Sequence, residues 1–360
     1  MRILQIINSL KIGGAEKLIA DIVPLLRDKG HTVDVCLFDG IDTDFKSLLQ
    51  QAGIHIIEFG YNCNVYNPIF AFKLARIMKE YDIVHTHNTA PQFFATLGSY
   101  FSHSKLITTE HSTSTRRRHF PVFKYIDKWM YGRYDKIICI SEPSELSLKS
   151  YIGKKFPIVT IQNGVNTQIF FDAQPVDLGY EDSIKITMVA GFRYEKDQPT
   201  LIKSLKYLPD NYHLFLVGDG VERKHIEALI QSEGMDKRVH LLGIRGDISG
   251  ILKSSDIIVM SSHREGLSLS SVEGMCSGHP FLASDVEGLR EVVQDYGLLF
   301  PHGDSKSFAK TVLQVINNPV YASEVAARCM ERGRQYDISK MVDAYNNVYL
   351  NLVNENNSRK

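Results

Sequence analysis

The sequence predicts an α/β fold: two doubly wound parallel sheets in tandem, each with helices on both faces. Three observations lead there. At 360 residues the chain is too long for one ordinary core and suits two domains of usual size. Short apolar, β-branched runs alternate with longer amphipathic stretches, which is the rhythm of βαβ units. Around residues 163–182 a polar interval with Pro175 and Gly179 breaks that rhythm, and the rhythm then starts afresh. The two halves are therefore Rossmann-like. Residues 1–165 form the first domain, 166–182 the linker and 183–335 the second domain. Residues 336–360 are a C-terminal helix and tail outside the second sheet, with a return to the first domain as one option. In such sheets ligands bind beyond the carboxyl ends of the strands. Two of them offer two such edges to a shared inter-domain cleft.

The elements follow in order. Expected strands of the first half are residues 3–7, 32–38, 54–58, 83–86, 105–109, 136–140 and 158–161, with helical patterns such as 15–29 and 68–80 between them. The second half repeats the scheme at 185–190, 213–217, 239–241, 257–260, 281–284 and 298–300. Residues 341–353 have helical spacing, and the tail NENNSRK is expected to fray.

Composition narrows the function. The chain is 44% hydrophobic and 23% charged, as globular proteins are. Lys+Arg and Asp+Glu both number 41, a balance that speaks against a nucleic-acid binder. Five scattered cysteines form no C-x-x-C pair and imply reduced thiols in the cytoplasm, with Cys36 and Cys139 as core. MRILQII reads as a strand running into Asn8 and Ser9 rather than a signal peptide. No apolar run approaches the roughly 18 residues that span a bilayer.

The candidate chemistry starts after the expected strand 257–260. There Glu265 and Glu273 stand eight apart, with Ser268, Ser270 and Ser271 as helix caps and Ser277-Gly278 as a stop. Glu265 falls in a loop and Glu273 in a short helix, whose first amides at Leu267, Ser268 and Leu269 suit phosphate oxygens. Carboxylates on either side of a phosphate suit hydroxyls. Taken alone, the pair is equally a helix cap and a solvated side chain. Gly13-Gly14 opens the first helix, either as a site of close backbone approach to a ligand or as an ordinary turn. His111 follows a strand at the ligand-binding edge, and His85 and His87 mark another strand end, where they line a pocket or are half-buried. Arg116, Arg117 and Arg118 precede Phe120, Phe123, Tyr125 and Trp129, a mixture that fits a membrane surface, a lipid-diphosphate acceptor or a solvated loop before a core helix. Asp42-x-Asp44 has no further ligands near it, and Gly218-Asp219-Gly220 lacks the third glycine of a dinucleotide fingerprint.

Taken together, GGAEK, HTH, TTEHS, ICISE, IQNGVN, YEKDQPTLI, LVGDG, LLGIRGD, EGLSLSSVEGM and SDVEGLREVV stand in an order that resembles the family 4 glycosyltransferases. The resemblance covers most of the chain. It implies the GT-B fold and transfer from a nucleotide sugar with retained configuration. It assigns Glu273 to the ribose hydroxyls and Glu265 to the donor sugar, with Gly266, Leu267, Ser268 and Leu269 between them on the donor. Lys196 matches the family's pyrophosphate-binding lysine. The arginine that usually accompanies it is replaced by Gly191, so Arg193 is the substitute candidate. Gly14 and His111 are implied to contact the donor sugar, and Gly243, Ile244 and Arg245 to flank the base. Catalytic roles thus fall to His111, Glu265, Lys196 and Arg193. No metal or other cofactor is expected. The donor is expected to carry uridine diphosphate and the acceptor to be a saccharide or lipid-linked saccharide for cell-surface polysaccharide or lipopolysaccharide. The setting is cytoplasmic, with peripheral contact to the inner membrane face through Arg116–Arg118 as an option. The alternatives are a sugar-nucleotide 2-epimerase-like isomerase of the same fold and a non-catalytic nucleotide-sugar-binding protein.

Overall fold

A computed structural model describes residues 1–11, 13–111, 118, 120–265 and 268–357. The chain divides into two compact units. One is Met1–Asn163 with the segment from Ile338 onward, and the other is Gly164–Asp337.

The first unit holds strands β1 (Arg2–Ile7), β2 (Thr32–Leu37), β3 (Ile56–Glu58), β4 (Ile83–His87), β5 (Lys105–Glu110), β6 (Lys136–Cys139) and β7 (Ile158–Thr160). They form one sheet in the order β3-β2-β1-β4-β5-β6-β7, and every pairing is parallel. The β-branched runs become central strands because both faces are covered: Ile3, Leu4, Ile6 and Ile7 are all fully buried. On one face lie helix Gly14–Asp28 and the C-terminal helix Ile338–Asn357. The latter buries Ile338, Met341, Val342, Tyr345, Tyr349 and Leu352, the spacing of an amphipathic helix. On the other face Phe38, Phe59, Phe70 and Phe94 cluster, with Phe38 and Phe70 centroids 5.0 Å apart.

The second unit holds β8 (Ile184–Val189), β9 (Tyr212–Val217), β10 (Val239–Gly243), β11 (Ile257–Met260), β12 (Phe281–Ser284) and β13 (Leu298–Phe300). Their order is β10-β9-β8-β11-β12-β13, again parallel throughout. The strand order reverses between β1 and β4 in one sheet and between β8 and β11 in the other, the switch points where ligands bind in such folds.

Several expectations change in detail. The interval expected to be linker carries the helix Thr167–Phe171 and belongs to the second unit. Its Val165 bridges to Asp337. The third strand begins at Ile56 rather than at residue 54, and β4 extends through His87. The C-terminal helix runs to Asn357, so residues 354–357 are helical and not frayed. Residues 358–360 of the expected tail lie outside the described residues. No helix among the described residues is long and apolar enough to cross a membrane.

Candidate active site

The β8/β11 switch point gathers the sequence-predicted residues of the second unit. The loop after β8 descends through Gly191, Arg193 and Lys196, and the loop after β11 carries Ser261, Ser262 and Glu265. Hydrogen bonds tie the two loops together. Ser261 Oγ donates to the Lys196 and Asp197 carbonyls at 3.0 and 2.9 Å, and the His263 amide donates to the Glu195 carbonyl at 2.8 Å. This brings Lys196 Nζ into an ion pair with Glu265 Oε1. Ser262 Oγ donates to the same oxygen at 2.6 Å. Both side chains of the pair are largely shielded, which strengthens their attraction relative to a pair in open water.

Helix Leu269–Met275 begins directly beyond, capped by Ser268, whose side chain accepts from the Ser271 amide. Glu273 sits within it and is buried. The helix lies close on its sheet. A Cβ on Gly274 would come within 2.7 Å of the Phe281 ring and 2.8 Å of Ile258 Cγ2, so glycine is what lets Glu273 approach the β11 edge. Gly266 and Leu267, both assigned to the donor by the resemblance, lie outside the described residues.

Glycines also seat the loop after β9. A Cβ on Gly218 would lie 2.1 Å from the Ala190 carbonyl oxygen, and one on Gly220 would lie 2.3 Å from that of Phe192. Gly191 is different. Its Cβ would meet nothing closer than the Asp219 carbonyl at 3.7 Å, so the backbone there accepts a side chain. Arg193 Nε lies 3.9 Å from that same point, and Arg193 is exposed with no side-chain partner among the described residues. Its guanidinium therefore occupies the neighbourhood that an arginine at position 191 would enter. Gly243 ends β10 at φ 67°, Ile244 is exposed, and Arg245 pairs with Asp247 at 2.5 Å.

Asp197, next in the chain to Lys196, was not singled out by its sequence. Its left-handed backbone (φ 49°) turns the carboxylate toward His263 and His302, and the donor atoms of the three lie within 4.8 Å of one another. They are the described residues whose arrangement fits a metal ion. No signal in the sequence joined them, because their partners come from three separate loops.

In the first unit, Gly14 opens helix Gly14–Asp28 with open space at its Cβ position. His111 follows β5 and lines a cavity of about 220 Å³ with Asn8, Tyr66, Asn88, Thr89, Gln92, Thr109 and Glu110. Its Nε2 meets His87 Nδ1 at 2.9 Å. Burial pushes His111 down to about 4, with the neighbouring Glu110 charge opposing. His85 and His87 stand at the carboxyl end of β4, whose last residue is His87, and both are fully buried rather than half-buried. His85 is pushed down to about 3 and His87 well below its usual value, chiefly by burial.

The expected basic patch also changes. Arg118 has a buried side chain that donates to Glu110 Oε2 at 3.1 Å, with Tyr131 donating to Glu110 Oε1 at 2.5 Å. Its guanidinium lies 5.5 Å from the Tyr151 ring centre. Arg118 is thus an ion-pair residue with a buried guanidinium, and nothing in the run of three arginines marked it as the partner of Glu110. Arg116 and Arg117 lie outside the described residues.

Comparison with known proteins is consistent across the chain. Residues 12–169 match the family model "Glycosyltransferase Family 4", and residues 171–336 match "Glycosyl transferases group 1". A UDP-Gal:alpha-D-GlcNAc-diphosphoundecaprenol alpha-1,3-galactosyltransferase of Escherichia coli is 27% identical over 307 residues, 79% of each chain. A phosphatidyl-myo-inositol mannosyltransferase of Mycobacterium leprae is 24% identical over 354 residues, covering 94% of this chain and 92% of that one. Among solved structures, Anabaena HepE in complex with UDP-glucose superposes with a TM-score of 0.80 at 23% identity over all of both chains.

Proposed function

The chain belongs to family 4 of the glycosyltransferases, with the GT-B fold, and from that premise we propose that it moves a hexosyl unit from a uridine-diphosphate sugar to a saccharide or lipid-linked saccharide acceptor. The observation that carries the proposal is the Lys196–Glu265 pair at the β8/β11 switch point. It presents a cation and a carboxylate side by side, as a sugar diphosphate requires: phosphate oxygens for one, sugar hydroxyls for the other.

In this mechanism Lys196 and Arg193 meet the diphosphate, together with the amides at Ser268 and Leu269, and Glu273 takes the ribose hydroxyls. The base rests beside Gly243, Ile244 and Arg245. Charge grows on the diphosphate as its bond to the sugar breaks, and a cation held in a shielded site, as Lys196 is, stabilises that charge most in the transition state. The acceptor oxygen attacks from the face the phosphate leaves, and the departing phosphate takes the acceptor's proton, so configuration is retained without a side-chain base. Gly14 and His111 are donor-sugar contacts supplied by the first unit. Arginine, lysine and backbone amides supply the positive potential, so full activity is expected in excess EDTA. The products are destined for cell-surface polysaccharide or lipopolysaccharide. The enzyme works at the inner membrane face, a setting supported by the apolar surface of helix Pro121–Tyr131, where Val122, Tyr125 and Trp129 are exposed beside Lys124 and Lys128.

The test is a panel of nucleotide sugars incubated without acceptor. Slow release of uridine diphosphate from one of them is expected. Conversion of the sugar with no diphosphate released would make the protein an isomerase, and binding without any turnover would make it a sensor.

A further inference from the structure

Beneath His111 a line of hydrogen bonds passes through four elements of the first unit. His111 Nε2 meets His87 Nδ1 at 2.9 Å, and His87 Nε2 meets Gln5 Oε1 at 2.9 Å. Gln5 Nε2 donates to the Tyr349 hydroxyl at 3.2 Å. That hydroxyl meets His85 Nδ1 at 2.6 Å, and His85 Nε2 meets Thr109 Oγ1 at 2.8 Å. Gln5, His85, His87 and Tyr349 are each 0% exposed, so no water competes for these bonds.

A neutral imidazole carries one N–H and one bare nitrogen, so each bond in the line fixes the next. The Gln5 carbonyl oxygen only accepts, hence His87 carries its hydrogen on Nε2. His87 Nδ1 is then bare and accepts from Nε2–H of His111. His111 Nδ1 is bare in turn. On the other branch the Tyr349 oxygen takes the Gln5 amide hydrogen and passes its own to His85 Nδ1, leaving His85 Nε2–H for Thr109. The three rings are neutral near pH 7: burial holds His85 at about 3, His111 at about 4, and His87 well below its usual value. The charges facing them are Glu110, which draws His111 upward and is paired with Arg118, and the rings themselves, which repel each other's protons. The hydroxyls of Tyr345 and Tyr349 both stay protonated, because burial raises their values.

We propose that Gln5 and Tyr349 are positioning residues that set the tautomer of His87 and, through it, make His111 offer a bare Nδ1 that accepts a hydrogen bond from a substrate hydroxyl. The proposal rests on the role of His111 as a donor-sugar contact. The same line can run the other way if the Gln5 amide turns over. Every bond is then still made, but His111 presents an N–H, the wrong polarity for a hydroxyl hydrogen. In the structure Gln5 stands in the first sense, its amide nitrogen on the hydroxyl of Tyr349. That phenol lies 344 residues from Gln5, so docking of the C-terminal helix is coupled to the chemistry His111 can offer.

The test uses the intact enzyme. Long-range ¹H–¹⁵N correlation NMR of the histidine rings, assigned through single His→Gln variants, is expected to show Nε2–H tautomers for both His87 and His111. Nδ1–H forms in the wild type would overturn the proposal. Tyr349→Phe keeps the packing but frees the amide, so tautomer mixing is expected together with a fall in kcat of about tenfold, the scale of one lost hydrogen bond. Adding Gln5→Glu to that variant supplies, when ionised, a group that only accepts, which is expected to restore the Nε2–H forms and most of kcat. It should also move the acid limb of the pH profile upward, because a carboxylate beside His87 favours its protonated form. If the loss in Tyr349→Phe tracks melting temperature alone and Gln5→Glu rescues nothing, the two residues are structural only. Unchanged turnover in His111→Ala, with the wild-type tautomers as described, would sink the role of His111 and leave the relay standing.

Discussion

Lys196 and Glu265 neutralise one another. In the proposed mechanism the incoming diphosphate competes with Glu265 for the same ammonium. Lys196→Ala or Glu265→Ala is expected to lower kcat on the order of a hundredfold or more, the usual effect of removing one electrostatic contact to developing charge. Arg193→Ala should also lose activity. Gly191→Arg in that background should regain part of it, because a Cβ at 191 has only the Asp219 carbonyl at 3.7 Å to meet. Steady-state kinetics with the identified donor checks all of these, and a Gly191→Arg enzyme that folds but recovers nothing would show that Arg193 does not stand in for the missing arginine. These residues were legible in the sequence because they lie in short motifs at fixed offsets from a strand. Asp197, His263 and His302 were not, since each is an ordinary loop residue until three loops converge. Gln5 did leave a trace: a lone amide in the apolar run ILQII is a polar group that must find a buried partner.

Strands were the most legible elements, since both sheets are covered on both faces and their runs are continuously apolar. At His85–His87 the strand end was legible but its burial was not. HTH closes β4, yet its polar residues lie inside the unit, where the line of hydrogen bonds satisfies them. Helix Pro121–Tyr131 departs from the other extreme. It buries Asp127, Met130 and Tyr131, while Val122 is 70% and Tyr125 77% exposed. An amphipathic helix with its apolar side turned out suits a membrane interface, where each inserted side chain of this size contributes about 1.5–3 kcal/mol. Val122→Ser with Tyr125→Ser should therefore reduce sedimentation with anionic vesicles by tenfold or more, on the order of the lost burial. Equal partitioning of variant and wild type would remove the membrane from the account. Of the arginines that sequence placed beside Phe120, Phe123, Tyr125 and Trp129, Arg118 is taken up by Glu110, so the expectation rests on this helix.

At the scale of the whole chain, the first unit closes only when both ends of the sequence have met: β1 supplies Gln5 and the last helix supplies Tyr345 and Tyr349. Helical spacing located that helix, but nothing local showed that its tyrosines cap a polar line from β4, with partners as far as 344 residues away. This arrangement carries a pH cost with a definite sign. His85 and His87 have folded values far below the ordinary 6.5, so the unfolded chain takes up their protons first as pH falls. Their contribution to stability is complete above about pH 6.5 and declines as pH drops toward the folded values, by about 1.4 kcal/mol per pH unit for each ring. Thermal unfolding followed from pH 7.5 to 5 should thus show the first unit, reported by a probe pair at Gln5's strand and the C-terminal helix, melting progressively earlier. A separation temperature for the two chain ends that does not move over that interval would mean the rings are not held neutral in the folded state, and the buried line from Tyr349 to His111 would have to be charged or hydrated instead.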